Sequence, residues 1–186
     1  AHAWGTLTAP RGVKLLKHTA GKTRVLSDDE ESRLLAFASP ALRRLIHAGL
    51  LTGFRRQELV MLRPEDVDLE RGLITVAACH AKSGESRTLP IGEQLKAVLQ
   101  DALSVRGAAP TVFVSGLGKP WHPVGVTQVF KATCKRASIE ILSPHVMRHT
   151  FASRLTMAGV DLRTVQELMG HKSIAMTIRY AHLSPD

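Results

Sequence analysis

Two cysteines in 186 residues, Cys79 and Cys134, are too few for a disulfide framework, and no CxxC pair offers a zinc ligand set. Both thiols are expected to be free, in a reducing compartment. Aromatic residues are scarce at 4%, and Tyr180 is the only tyrosine. No apolar run approaches the roughly 20 residues needed to cross a bilayer, and Ala1 to Pro10 lacks the charged and apolar regions of a signal peptide. No membrane partner is expected, and the expected location is cytoplasmic. The chain begins with Ala1 rather than Met, as an excised fragment would. Negative charge is also short: 16 Asp and Glu face 25 Lys and Arg, for a formal charge of +9. Such a balance favours a polyanionic partner, of which nucleic acid is the commonest. Against these shortages, 44% of the residues are apolar, enough for one domain with a real core.

Residues 1–24 contain Arg11, Lys14, Lys17, Lys22 and Arg24 without one acidic residue, and Pro10, Gly12 and Gly21 break any regular pattern. They read as a basic arm or linker, ahead of a folded domain over 25–186. Ser27 with Glu30 three residues on is a capping box that opens a helix through Leu34, Leu35 and Phe37. After Pro40, the helical spacing of Leu42, Leu45, Ile46 and Leu50 predicts a second helix with Gly53 as its stop. A short helix follows from about Arg56 to Leu62, ahead of Pro64. Leu73 to Ala77 and Arg87 to Ile91 read as the arms of a β-hairpin around a Lys82-Ser83-Gly84-Glu85 tip, with a small third strand near Val67. Helices are expected again over Glu93 to Arg106 and Gly125 to Ala137, with Val112 to Val114 short and extended. Another helix should run from a Ser143 cap with Pro144 in its first position to about Ala158. A helix capped by Asp161 should end at Gly170, and one capped by Ser173 should carry Tyr180. The sum is mainly α with one small antiparallel β-sheet, an α+β domain.

Four segments carry residues suited to chemistry: Thr52-Gly53-Phe54-Arg55-Arg56-Gln57-Glu58, His80-Ala81-Lys82 on the hairpin, His145-Val146-Met147-Arg148-His149, and Gly170-His171 with Tyr180 nine residues later. On a helix, residues 145, 148, 149 and 152 share a face, which gathers two imidazoles and a guanidinium near a helix N-terminus, where anions are favoured. Met147, Phe151 and Leu155 can then face the core. Taken alone, the His-x-x-Arg is weak and suits a surface basic helix equally well, and a lone tyrosine usually only packs.

In combination these residues resemble the tyrosine recombinase, or phage integrase, family over nearly the whole chain, from about Val25 to Leu183. The family pattern is an arginine after a Thr-Gly turn, a lysine on a β-hairpin, a His-x-x-Arg, a Gly-His and a tyrosine nine residues beyond that histidine. Here these are Arg55, Lys82, His145 with Arg148, His171 and Tyr180, in order and at family-like spacing. Each is weak alone; together they are specific.

The resemblance implies the tyrosine recombinase catalytic-domain fold and an enzyme that cuts and rejoins double-stranded DNA through a 3′-phosphotyrosine on Tyr180, without ATP. Arg55 and Arg148 would stabilise charge on the non-bridging oxygens. Lys82 would be the general acid for the leaving 5′-hydroxyl, and His171 would donate to the phosphate. His145 would either help deprotonate Tyr180 or hold the phosphate. Glu58 would orient an arginine, and His149 would support the site from behind. No cofactor is implied, nor a metal: Asp28, Asp29, Glu30 and Glu31 sit at a helix start, where capping explains them. Lys119, Arg136, Lys172 and Arg179 are candidates for neutralising further phosphates. The arm would lead from an N-terminal DNA-binding domain, and the full-length protein would work at the nucleoid as a homotetramer on two DNA sites, with this fragment monomeric. The same residues also admit a type IB topoisomerase, a telomere resolvase, or a catalytically inactive DNA-binding relative such as a degenerate integrase or a helix-turn-helix regulator.

Overall fold

The computed structural model of the chain describes residues 23–77 and 86–185. Residues 1–22 of the basic arm expected over 1–24, and the hairpin tip with Cys79, His80 and Lys82, lie outside the described residues, while Arg24 pairs with Glu30 and Glu140. Ser27 opens α1 (Asp28–Phe37) with the expected capping box: its hydroxyl accepts from the Glu30 amide, and the Glu30 carboxylate accepts from the Ser27 amide at 3.0 Å. Ser39 caps α2 (Pro40–Thr52), where Pro40 sits in the first turn and its missing N–H costs nothing. Gly53 ends α2 in the left-handed conformation, and the short α3 (Arg56–Met61) follows at once.

The sheet is a three-stranded antiparallel meander of β1 (Val67–Asp68), β2 (Leu73–Val76) and β3 (Arg87–Pro90), in the order β1-β2-β3. Its register pairs Val76 with Arg87 and Ile74 with Leu89. With side chains alternating between faces, Ile74, Val76 and Leu89 turn inward and are buried, while Thr75 and Thr88 share a 3.0 Å hydrogen bond on the outer face. Four helices complete the fold: α4 (Glu93–Val105), α5 (Pro123–Arg136), α6 (His145–Met157) and α7 (Leu162–Met169). Helix α5 starts two residues before Gly125, because the His122 side chain and Pro123 make the better helix start.

Most of the core lies where α2 packs against α4 and α6, with α1 and α5 closing its flank. Leu34, Leu42, Leu45, Ile46, Leu59 and Leu99 are fully buried there, each worth about 1.5–3 kcal/mol of transfer free energy. Cys134 is a buried free thiol in this core. A second, smaller cluster of Ala152, Val165, Met169 and Tyr180 lies on the other side of α6. Helix α6 is therefore sandwiched, so that its polar face is packed as well as its apolar one. Arg148 and Ala152 are buried together with Met147, and His145 alone of the expected polar face is exposed.

Two helix starts differ from expectation. Ser143 does not cap α6 with its side chain; Pro144 is already helical at φ −55 and ψ −16, and the first turn closes through the Val146 amide to the Ser143 carbonyl at 3.0 Å. Tyr180 does not ride on one helix capped by Ser173. Ser173 caps a 3-10 turn over Ile174–Met176, and Tyr180 sits on a second 3-10 turn over Ile178–Leu183. Thr177, at the break, is fully buried and its hydroxyl is committed to His171, which stops the two turns merging. Among the described residues, no helix is long and apolar enough to cross a membrane.

Candidate active site

Two glycine turns frame the site. Gly53 ends α2 at φ 62 and Gly170 ends α7 at φ 60, a region that side-chain-bearing residues avoid. A Cβ on Gly53 would stand 2.3 Å from Phe151 Cδ1, so φ and space both demand glycine. Thr52 secures the first turn: its hydroxyl donates to the Ala48 carbonyl at 2.6 Å and accepts from the Phe54 amide at 3.2 Å. Carbonyls freed at these helix ends are taken up by guanidiniums. Arg148 donates through Nη1 to the Gly53 carbonyl at 2.6 Å and through Nη2 to the Met169 carbonyl, which ties the two turns together. Arg55 donates to the Gly170 carbonyl at 3.0 Å.

Glu58 organises the other side. Its side chain is fully buried, and both carboxylate oxygens are doubly engaged. Oε1 accepts from Arg55 Nη1 at 2.8 Å and Arg87 Nη1 at 3.1 Å; Oε2 accepts from the Arg55 amide at 2.8 Å and Arg87 Nη2 at 2.6 Å. Burial pushes this carboxyl up, but Arg87 and Arg55 outweigh burial and hold it below the usual carboxylate range. All four acceptor positions of the ionised carboxylate are thus taken up by Arg55 and Arg87.

His171 stands directly after the Gly170 turn. Its ring Nδ1 bonds the Thr177 hydroxyl at 2.9 Å, and its carbonyl accepts from Gln166 Nε2 at 3.0 Å. With Arg87, Arg163 and Lys172 it lines a cavity of about 570 Å³. Tyr180 is buried against α6 and α7, and its hydroxyl meets His149 Nδ1 at 2.7 Å. His149 thus touches the phenol directly, instead of supporting the site from behind.

Positive charge is in surplus, and the ionisations record it. Burial and then the charge of Arg55 bring Arg148 down to about 9, so it stays charged at neutral pH. Burial, followed by the charges of Arg148, Arg55 and Arg179, brings His171 to about 4. Burial, followed by Arg179, His145 and Arg148, does the same to His149. Both imidazoles are neutral at pH 7. Burial raises the Tyr180 phenol, with Arg148 and Arg179 pulling against it. Among the described residues, Glu58 sits among Arg55, Arg87 and Arg148, while Glu167 on the cavity wall is paired with Arg163; the remaining positive charge favours an anion.

The fold therefore gathers Arg55, Glu58, Arg148, His149, His171 and Tyr180 from three separated stretches of chain, and His145 lies close enough for its charge to bear on His149. Lys82 lies outside the described residues. Of the four cations suggested for further phosphates, Arg179 borders the site, Lys172 lines the cavity, and Lys119 is exposed. Arg136 instead donates to the Phe37 carbonyl at the end of α1. Sequence reading missed Arg87, Gln166 and Thr177. Arg87 had a legible signal: it alternates with Leu89 on the inner face of β3, an unusual address for an arginine. Among the described residues, no three His, Cys, Asp or Glu side chains converge as a metal ion requires.

The phage integrase family model matches residues 24–186. Tyrosine recombinase XerC of Pseudomonas fluorescens is 34% identical over 184 residues, which is 95% of this chain and 60% of that protein. The chain thus spans about 60% of the length of the curated relatives it matches. The catalytic domain of bacteriophage HP1 integrase is 29% identical with a TM-score of 0.67, covering 87% of this chain and 88% of that one. The Tn1549 transposon integrase, solved in complex with transposon right-end DNA, gives a TM-score of 0.76 at 26% identity over 89% of this chain and 63% of that one. Fold, family match and the gathered arginine, histidine and tyrosine side chains agree: the chain belongs to the phage integrase family and has the fold of a tyrosine recombinase catalytic domain.

Proposed function

We propose that this chain is the catalytic domain of a site-specific DNA recombinase that cleaves and rejoins double-stranded DNA through Tyr180. The observation that carries the reading is the lone phenol seated on His149 within the field of Arg148 and Arg179, with Arg55 and His171 grouped around the same Arg148. In the cleavage step, Tyr180 Oη attacks the scissile phosphorus, the phosphorus–O5′ bond breaks, and a 3′-phosphotyrosine forms. Arg55 and Arg148 offer permanently charged donors to the non-bridging oxygens, with His171 as a third. Neutral His149 Nδ1 holds the Tyr180 hydroxyl at rest; once the tyrosine's turn has moved, the phenolic proton passes to His145 or to solvent as the new bond forms. Lys82 supplies a proton to the leaving 5′-oxygen. Attack by the 5′-hydroxyl of a second strand reverses these steps, so the ester conserves the bond energy. Burial of Tyr180 requires the turn over Ile178–Leu183 to shift before Oη reaches DNA.

On this reading residues 1–24 lead from a further DNA-binding domain, and the whole protein assembles as a homotetramer on two sites, in the cytoplasm at the nucleoid. The isolated domain is a monomer with weak affinity. The test is covalent capture: a library of nicked duplexes with randomised sequence is incubated with the chain, and adducts that survive denaturation are sequenced. A captured duplex attached at Tyr180, lost in Tyr180→Phe, is the expected result. No adduct from the chain, or from the longer protein on its own recombination site, would overturn the enzymatic reading. Relaxation of supercoiled plasmid without exchanged product would mark a topoisomerase instead.

A further inference from the structure

Arg87 belongs to none of the roles above, yet its guanidinium makes three hydrogen bonds at the site. It leaves β3 on the inner face, only 9% of its side chain exposed, and makes a two-pronged contact with the Glu58 carboxylate. Its Nε donates to the Leu168 carbonyl at 3.1 Å, in the last turn of α7. Its guanidinium lies over the Phe54 ring, 5.1 Å from the centroid. The Gly170 turn is moulded around it: a Cβ there would stand 3.0 Å from Arg87 Cδ.

We infer that Arg87 is a positioning residue, which fixes Arg55 through Glu58 and fixes the His171 turn through Leu168, without itself binding the phosphate. The inference rests on the recombinase reading. Arg55 offers Glu58 one donor per oxygen, its Nη1 to Oε1 and its amide to Oε2. The Arg87 fork adds a second donor to each oxygen and so locks the carboxylate against which the Arg55 guanidinium is aligned. Arg87 also makes β3 part of the same rigid unit as Arg55 and His171. Docking of the sheet and orientation of the phosphate-binding donors are thereby one event.

The test compares Arg87→Lys and Arg87→Gln with the parent chain in single-turnover cleavage of a captured duplex. Lysine keeps the charge but cannot reach three acceptors in one plane. Two versions of the duplex are used, one native and one with a methylphosphonate, which is uncharged, at the scissile position. Both variants should cleave the native duplex roughly 10- to 100-fold more slowly, as misplaced catalytic groups do. Their affinity for it should change by less than about 3-fold. On the neutral linkage, which develops one charge fewer on its non-bridging oxygens and so asks less of an aligned Arg55, the deficit should shrink to within about 3-fold. Equal deficits on the two linkages would overturn the inference in favour of general disruption. An affinity loss matching the rate loss would overturn it in favour of a direct DNA contact, and an undiminished native rate would leave no positioning role.

Hydrogen exchange at the Arg55 amide, which donates to Glu58 Oε2, reads the same idea without catalysis. It should speed up by about tenfold or more in both variants, while amides of α1 and α4 keep their protection. Unchanged exchange at Arg55, or protection lost throughout the helical core, would sink the inference. Absence of an adduct from the parent chain would count against the recombinase reading alone, since exchange still decides for or against Arg87.

Discussion

The two apolar clusters on either side of α6 are built differently. The larger one, under α2 and α4, is filled with aliphatic side chains such as Leu42, Leu45, Ile46 and Leu99, all fully buried. The smaller one holds Ala152, Val165, Met169 and Tyr180, fringed by half-buried Phe151, Leu155, Val160 and Leu183. Around it, order comes from guanidinium-to-carbonyl bonds and from two histidines leaning on hydroxyls. The larger cluster backs Arg55, Glu58 and Arg148 through Phe54, Leu59 and Met147, while the Tyr180 turn rests on the smaller one. A segment held in this way can open locally while the rest stays folded. A phenol that must leave its pocket to reach DNA needs that property.

The contrast can be broken at either end. The largest effect should come from Arg148→Lys, which cannot span the Gly53 and Met169 carbonyls and also serve an oxyanion. Cleavage of a nicked duplex is expected to fall roughly 10²- to 10³-fold, and a rate near that of the parent chain would remove Arg148 from the chemistry. Leu45→Ala should act on the other side of α6, costing about 3 kcal/mol in urea unfolding while a captured duplex is still cleaved in conditions where the variant is folded. A loss well under about 1 kcal/mol would mean that the large cluster is not the keystone described.

Acid should probe the small cluster next. His149 and His171 sit near 4 in the folded chain against an ordinary 6.5. Between those values the unfolded chain binds more protons, so stability is intact above pH 6.5 and falls as pH drops towards 4. Each histidine contributes a slope of about 1.4 kcal/mol per pH unit. Urea midpoints measured from pH 7.5 to 4.5 should show the decline, and asparagine at both positions should flatten it; an unflattened decline would assign it to other groups. The smallest effect belongs to Thr177→Val, which removes the hydroxyl under His171 while preserving its shape. A stability loss of about 1 kcal/mol is expected, with the His171 ring resonances shifting by NMR. Unmoved resonances would show that the hydroxyl does not hold that ring.

Much of this could be read before any coordinates. Ser27 with Glu30, Asp161, and the closing glycines Gly53 and Gly170 announced their helices, because caps and left-handed turns are local events that a few residues control. The misread starts had non-local or competing local causes. Pro144 is helical, as expected of a proline in the first position, but the first turn closes on the Ser143 carbonyl and not on its hydroxyl. The break at Thr177 depends on His171, whose ring is brought near by the turn at Gly170. The choice of His149 as the partner of Tyr180 was illegible for the same kind of reason, since neighbours on one helix differ only in what packs against them.

Residue types and their spacing determined the helices, the sheet, the family and the cast of reactive side chains, since each follows from short-range preference or pattern. Tertiary structure alone decided who meets whom: that α6 is buried on two sides, that Arg87 crosses from the sheet to share Glu58 with Arg55, and that the phenol rests on His149. Those outcomes depend on distances between segments dozens of residues apart, which packing fixes and no local pattern encodes.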